Sequence, residues 1–205
     1  MQLRRADVLA GALELLDAEG LDGLTTRKLA ASLNVQPGAL YWHFPNKQAL
    51  LEAMADAIVA GLGDPLPAGP WDAQATALAL RLRAALLAHR DGARVVAGTF
   101  VVEPNTHLAG KRAIEILTGA GIPVIQAGWI AFALSHYVFG HTIEEQARGQ
   151  LTDEETAAKL AAAENKDPEL SQILRSVMND DPDARFAYGI RLLIDGVRAQ
   201  IPAPG

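Results

Sequence analysis

Residues 25–47 bring Thr26, Arg27, Gln36, Tyr41, His43 and Lys47 together with Lys28 and contain no Asp or Glu, in a chain of formal net charge −6. These are the donors a polyanion requires. Arg27 can hold the edge of a guanine with two parallel N–H groups, and Gln36 can read adenine. Thr26, Tyr41, His43 and Lys47 have the length to grip phosphate oxygens and fix a register along a duplex. Gly38 and Ala39 are small enough to let a short helix slide deep into a major groove about 12 Å wide. Pro37 and Trp42 complete the set of candidate DNA contacts. A plainer reading makes Tyr41 and Trp42 core residues of an ordinary helix pair.

A second set of candidates lies further on: Thr99, Phe100, His107, Trp129, Phe132, His136, Phe139 and Glu144. On a helix, His136, Gly140 and Glu144 stack at i, i+4 and i+8, which leaves a gap between two polar tips about 12 Å apart. That suits an apolar cavity with a few orienting donors, the usual design of a small-molecule site. Each residue also has a bland role: His136 as a satisfied interface histidine, Glu144 as half solvated, Trp129 and Phe132 as core. His141-x-x-Glu144 has a metal-compatible spacing, but a lone pair is weak and no metal is expected. There is no Ser/His/Asp order, no Gly-rich phosphate loop and no His-Glu-x-x-His run. No catalytic residue and no cofactor are therefore assigned.

Short-range signals position the first set. Thr25 can accept an orphan backbone N–H at the start of a two-turn helix over Thr26–Leu33. Asn34 suits the left-handed residue that ends it, and Pro37 is pre-set for the first turn of the next. The second short helix is expected over Ala39–His43, closed by Pro45. Leu29, Leu33 and Leu40 can then bury against each other and a preceding helix. That helix is expected over residues 4–19, with Val8, Leu9, Ala12, Leu13, Leu15 and Leu16 as its stripe and Gly20 as its stop. Two brief helices joined by a tight turn read as a helix-turn-helix.

The run Leu-Thr-Thr-Arg-Lys-Leu-Ala, followed by Ala-Leu-Tyr-Trp-His-Phe-Pro-Asn-Lys-Gln-Ala-Leu-Leu, resembles the DNA-binding head of the tetracycline-repressor (TetR) family. The resemblance covers residues 3–55. It implies an all-helical, two-domain, homodimeric transcription regulator, usually a repressor released from DNA by a small molecule.

Bulk composition is consistent with that. Hydrophobic residues make up 50% of the 205 residues and aromatics only 5%, which favours helices packed on helices. The absence of cysteine excludes a disulfide scaffold and fits a reducing cytosol, so a cytoplasmic location is expected. Asp7, Glu14 and Asp17 interrupt what would be the apolar core of a signal peptide. Residues 1–50 carry five Lys/Arg and five Asp/Glu, so the whole net charge of −6 lies in the remainder. Only the head is electrostatically fit to approach DNA.

After Asn46, a natural N-cap, a connecting helix is expected over residues 47–62, and Gly61–Pro70 breaks helicity. The predicted organisation is a head over 1–46, this connector, and a ligand-binding and dimerisation domain over 70–205. The body should hold helices over 71–89, up to about 99, 103–119 and 124–149, and a last one over 183–201. Residues 150–181 read as a mobile crossover with a weak helix near 168–178. From Ile116 to Ile143 no charged residue occurs, but Gly119, Gly121, Pro123 and scattered polar residues argue against a membrane span. Such a helix is buried on several sides instead, with one face in the core and another in a dimer interface shared with the last helix. One head makes too few base contacts for specificity. Two heads about 34 Å apart can read a palindrome.

Resemblance extends into the body. Arg90-Asp-Gly-Ala-Arg-Val-Val-Ala-Gly-Thr99 and Ser135-His-Tyr-Val-Phe-Gly140…Glu144 are similar to the ligand-binding domain of the family's tetracycline-responsive members. Thr99, His136 and Glu144 match, but Val96 stands where the resemblance implies a magnesium-holding histidine. Leu62 or Gly63 replaces a drug-contacting histidine, and Leu78 a drug-contacting asparagine. The expectation is therefore an all-α, homodimeric, ligand-responsive repressor of a palindromic operator, with a small, apolar, metal-free effector. The alternative is a helical carrier or enzyme whose head does not bind DNA.

Overall fold

The computed structural model describes residues 3–99, 103–179 and 181–201. Among them are eleven helices and no strand. Helices α1 (Arg5–Gly23), α2 (Thr26–Ser32) and α3 (Pro37–Tyr41) form the head. Val8, Ala12 and Leu16 of α1 are fully buried in one core with Leu24, Leu29, Leu40 and Phe44. Gly20, with φ of 73°, breaks the regular part of α1 where a C′ glycine was expected.

The turn chemistry acts as its residues dictate. Thr25 Oγ1 accepts from the Lys28 N–H over 3.2 Å. Asn34 is left-handed, with φ of 54°. The third helix runs two residues earlier than Ala39–His43, because Pro37 itself supplies the first helical φ. Asn46 Oδ1 accepts from the Ala49 N–H over 2.8 Å and starts α4 (Lys47–Ile58). Regular helix stops at Ile58 rather than Leu62. Residues 59–63 continue as tight turns around Gly61. Leu62 is nevertheless buried. Arg81 donates to the carbonyls of Asp64 and Pro65, and Arg112 to that of Gly63, which fastens the broken stretch to the body.

The body is built from α5 (Trp71–Leu87), α6 (Gly92–Ala97), α7 (Pro104–Gly119), α8 (Val124–Arg148) and α11 (Pro182–Arg198). Helices α8 and α11 approach closely because residue 189 is glycine: a Cβ there would lie 2.1 Å from the Tyr137 hydroxyl. That hydroxyl donates to the Phe186 carbonyl over 3.1 Å. Nearby, buried Arg83 of α5 forms two hydrogen bonds to Glu145 of α8, at 2.9 and 2.7 Å, and one to Asp183 at 2.6 Å. Its guanidinium also lies over the Phe186 ring, 4.9 Å from the centroid. Burial alone would lower the Arg83 pKa, but the bonds to Glu145 and Asp183 outweigh it and hold the group above its ordinary value.

The crossover is more ordered than its composition implied. It contains α9 (Asp153–Lys166) as well as α10 (Pro168–Asn179), packed on each other. A reciprocal cap explains the extra helix. Thr152 Oγ1 accepts from the Glu155 N–H at 3.1 Å, and Glu155 Oε2 accepts from the Thr152 N–H at 2.8 Å. Asp167 then accepts from the N–H groups of Glu169 and Leu170, which starts α10.

Three apolar faces are bare in the single chain: Val124, Ile125, Trp129 and Phe132 on α8, Leu170, Ile173 and Val177 on α10, and Tyr188 and Leu192 on α11. Among the described residues no helix is long and apolar enough to cross a membrane.

Candidate nucleic-acid interface and internal cavity

At the head, the turns set by Thr25, Asn34 and Asn46 position the candidate side chains. Arg27, Gln36, Pro37, Gly38, Tyr41, Trp42 and Lys47 are exposed, and Thr26, Ala39 and His43 are partly so. Trp42 is 90% exposed and Tyr41 51%, so neither is a core residue. A Cβ at Gly38 would meet nothing within 4 Å, so nothing inside the chain requires a glycine there. Lys28 is engaged by Glu19 at 2.6 Å. Among the described residues Arg27 and Lys47 have no ion-pair partner, which leaves their charge available to an external anion. Arg5 instead covers the Phe44 ring at 4.5 Å, a structural role that composition did not reveal.

The body holds a partly open cavity of about 360 Å³. Its wall draws on the end of α4 (Val59, Leu62), on α5 (Leu78, Leu82), α6 and its end (Val96, Thr99), α7 (Ala109, Ala113) and α8 (Ser135, Phe139). The size lies in the range of small-molecule sites. Among the described residues no charged side chain and no histidine lines it. Among the described residues no group of three His, Cys, Asp or Glu could hold a metal ion.

The second candidate set divides. Thr99, Phe132 and Phe139 line the cavity. His107, Trp129, His136 and Glu144 do not; all four are exposed, and Phe100 lies outside the described residues. The expected polar gap between His136 and Glu144 is an outward face of α8. The cavity is met by Ser135, Val138 and Phe139, about 100° around the helix from His136. His136 rests on Phe132, with ring centroids 5.9 Å apart. Sequence reasoning did not find Val59, Gly110, Ala113, Gly128, Ala131 or Ser135 as lining residues. The available signal was the small residues facing each other on α7 and α8. Leu78 and Val96 lie in the wall, as does Leu62 but not Gly63.

Head and body meet at a polar joint. Asp91, left-handed at φ 56° before α6, accepts from the Leu21 N–H at 2.9 Å and from Gln150 Nε2 at 3.3 Å. Burial pushes its pKa up, but the bonds from Leu21 and Gln150 and the charge of Arg94 together hold it below the ordinary carboxylate value. Gln146 of α8 donates to the carbonyls of Leu86 and His89 and accepts from the Ala93 N–H, bracing the elbow between α5 and α6. Asp17 bonds His89 and the Arg90 N–H at 3.0 Å each, and Arg94 pairs with Asp22 at 3.2 Å.

Residues 8–54 match the model of the TetR family of bacterial regulatory proteins, and residues 64–201 match that of the tetracycline-repressor-like C-terminal domain. The tetracycline repressor protein class E of Escherichia coli is 38% identical over 198 residues, covering 95% of this chain and 90% of that protein. A possible TetR family regulator from Streptomyces coelicolor A3(2) superposes with a TM-score of 0.86 at 41% identity, over 96% of this chain and 99% of that one. A variant of TetR from Acinetobacter baumannii AYE, solved in complex with minocycline, gives 0.77 at 39% identity, over 98% and 100%. The chain belongs to the TetR family of bacterial transcription regulators.

Proposed function

We infer that the chain is a ligand-responsive transcriptional repressor, homodimeric on a palindromic operator and released by a small apolar effector held in the body cavity. One observation carries the reading. Helix α4 begins at Lys47 beside the exposed head surface and ends at Ile58, with Val59 and Leu62 just beyond it in the cavity wall. About 18 Å of rigid helix thus links a DNA-facing group to the effector space. A molecule that displaces Val59 and Leu62 tilts α4 and changes the spacing of two heads. A change of 10²–10³ in operator affinity needs about 3–4 kcal/mol of differential binding.

In this reading Arg27 and Gln36 read base edges, Gly38 and Ala39 give clearance, and Thr26, Pro37, Tyr41, Trp42, His43 and Lys47 contact the backbone or its flank. The bare faces of α8 and α11 supply the dimer interface, which desolvates Trp129 and Tyr188. The effector in this reading carries no metal, since among the described residues neither a carboxylate nor an imidazole faces the cavity. The matched family is one of regulators rather than enzymes, and the site of action is the cytoplasm.

The test is a gel shift with fragments selected from random DNA, run at two salt concentrations. Specific, salt-dependent binding of a dimer to a palindrome is expected. A protein indifferent to every sequence, or monomeric in solution, overturns the reading.

A further inference from the structure

The polar atoms of the cavity share one property. Its lining holds three hydroxyls, on Thr99, Thr106 and Ser135. Each has its proton committed to main chain. Thr99 Oγ1 donates to Val95 and Val96 carbonyls at 3.2 and 3.1 Å, and Ser135 Oγ to Phe132 at 2.9 Å. Thr106 Oγ1 donates to the Glu103 carbonyl at 2.8 Å and also accepts from the Glu103 N–H at 3.1 Å. A hydroxyl has one donor and two acceptor lone pairs, so each oxygen still offers a lone pair. Among the described residues the main chain adds no donor. The Asn105 and Thr106 N–H groups, free at the start of α7, are both taken by Asp56 at 2.9 Å, and N–H groups within the helices are bonded along them. Among the described residues the wall therefore accepts hydrogen bonds and donates none.

We propose that the cavity selects an uncharged, mainly apolar molecule that carries hydroxyl or N–H donors, and discriminates against anions and against molecules bearing only acceptors. This rests on reading the cavity as the effector site and narrows the effector's chemical class. An anion would enter an apolar space with no cation to pair with it. A ketone or ether oxygen would lose its water and find no N–H or O–H unless a lining hydroxyl first broke its own bond. A phenol or alcohol loses water too, but meets a waiting oxygen on Thr99 or Ser135.

The test uses biphenyl-4-ol, 4-methoxybiphenyl and biphenyl-4-carboxylate, titrated calorimetrically into the full-length dimer. The same titrations are run on Thr99→Val, Ser135→Ala, their double variant, the triple variant that adds Thr106→Val, and Gly128→Leu, which fills the cavity. Melting curves confirm that each variant is folded, and either single variant suffices if the double is not. The phenol is expected to bind about five- to tenfold tighter than the ether, from one extra hydrogen bond. The carboxylate should show no binding at the same concentrations. Thr99→Val or Ser135→Ala should bring the phenol down to the ether, whose own affinity stays unchanged. An ether that binds as well as the phenol, a carboxylate that binds, or a preference that survives deletion of all three hydroxyls overturns the donor rule while leaving the cavity as the site. If no probe binds, or if all bind Gly128→Leu as they bind the parent, the cavity reading fails and the donor rule falls with it.

Discussion

The Leu21 N–H, at the end of the head's first helix, donates to the Asp91 carboxylate over 2.9 Å. Asp91 opens α6, whose Val96 lines the cavity. The same carboxylate receives Gln150 from just beyond α8. One side chain thus ties the head to the start of α6 and to the residues just beyond α8. Gly20 lets it approach, because a Cβ there would lie 2.9 Å from Asp91 Oδ2.

Asp91→Ala removes that acceptor and places alanine in a left-handed conformation. Each loss costs about 1–2 kcal/mol. A drop of about 2–3 kcal/mol in urea stability is expected, together with faster hydrogen exchange at the Leu21 amide. Unchanged protection at Leu21 would show that the joint is held elsewhere.

Arg27→Ala and Trp42→Ala should leave the melting temperature nearly unchanged, since both side chains are exposed. Operator affinity should fall about tenfold or more, with Arg27→Ala also relaxing the preference at one base pair. Lys47→Ala should weaken all sequences alike and reduce the salt slope by about one. Binding assays at three salt concentrations check both effects.

Gly128 lines the cavity and a Cβ there meets nothing within 4 Å, so Gly128→Leu extends into empty space. Replacing a mid-helix glycine gains about 1 kcal/mol of helix propensity. The variant should melt a few degrees higher, keep its operator, and no longer respond to effector. Retained response at normal effector concentration would place the effector outside this cavity.

Arg83→Met leaves the Glu145 carboxylate, only 16% exposed, without its two hydrogen bonds. Breaking one side of a buried pair costs about 3–5 kcal/mol, whereas removing both charges costs far less. Arg83→Met should therefore be markedly unstable and Arg83→Met with Glu145→Gln largely recovered. Urea melts of the parent, both single variants and the double variant measure the coupling.

The head was legible in the sequence because its determinants are local. Thr25, Asn34, Pro37 and Asn46 each fix their own backbone, and their positions relative to one another follow from a few turns of helix. The cavity was less legible because it depends on which side of α8 faces inward. Ser135 and His136 differ by one position and by about 100°, and the uncharged run around them carries no sign of which way it is turned. His136 and Glu144 were chosen for their chemistry, whereas tertiary packing selected Gly128, Ala131 and Ser135 for their size. Helix α9 is hard to read from the sequence for a different reason. Its composition is polar, so the Thr152–Glu155 cap, rather than apolar periodicity, marks where it starts.

His141 gives the stability its own pH dependence. Its ring is enclosed by Tyr137 and Phe186, with centroids 5.8 and 5.2 Å away, and its Nε2 is buried with no hydrogen-bond partner among the described residues. Burial lowers its pKa from the usual 6.5, nearby Arg185 and Arg83 lower it further, and Glu145, 3.9 Å away, opposes them. The folded chain therefore keeps His141 neutral where the unfolded chain protonates it. As pH falls through 6.5 the unfolded state takes up the proton first, so stability is full above that value and declines below it. The carboxylates whose pKa values are lowered, Asp72 and Asp91 among them, lose their contributions only at more acidic pH, below their ordinary value of 3.8. His141→Leu removes the orphaned nitrogen and keeps an apolar side chain of similar bulk. Its urea stability should exceed that of the parent at pH 5, and the gap should narrow as pH rises to 7. Parallel stability curves for the two proteins between pH 5 and 7 would show that His141 takes up no proton on unfolding, and would assign any loss in that window to another group.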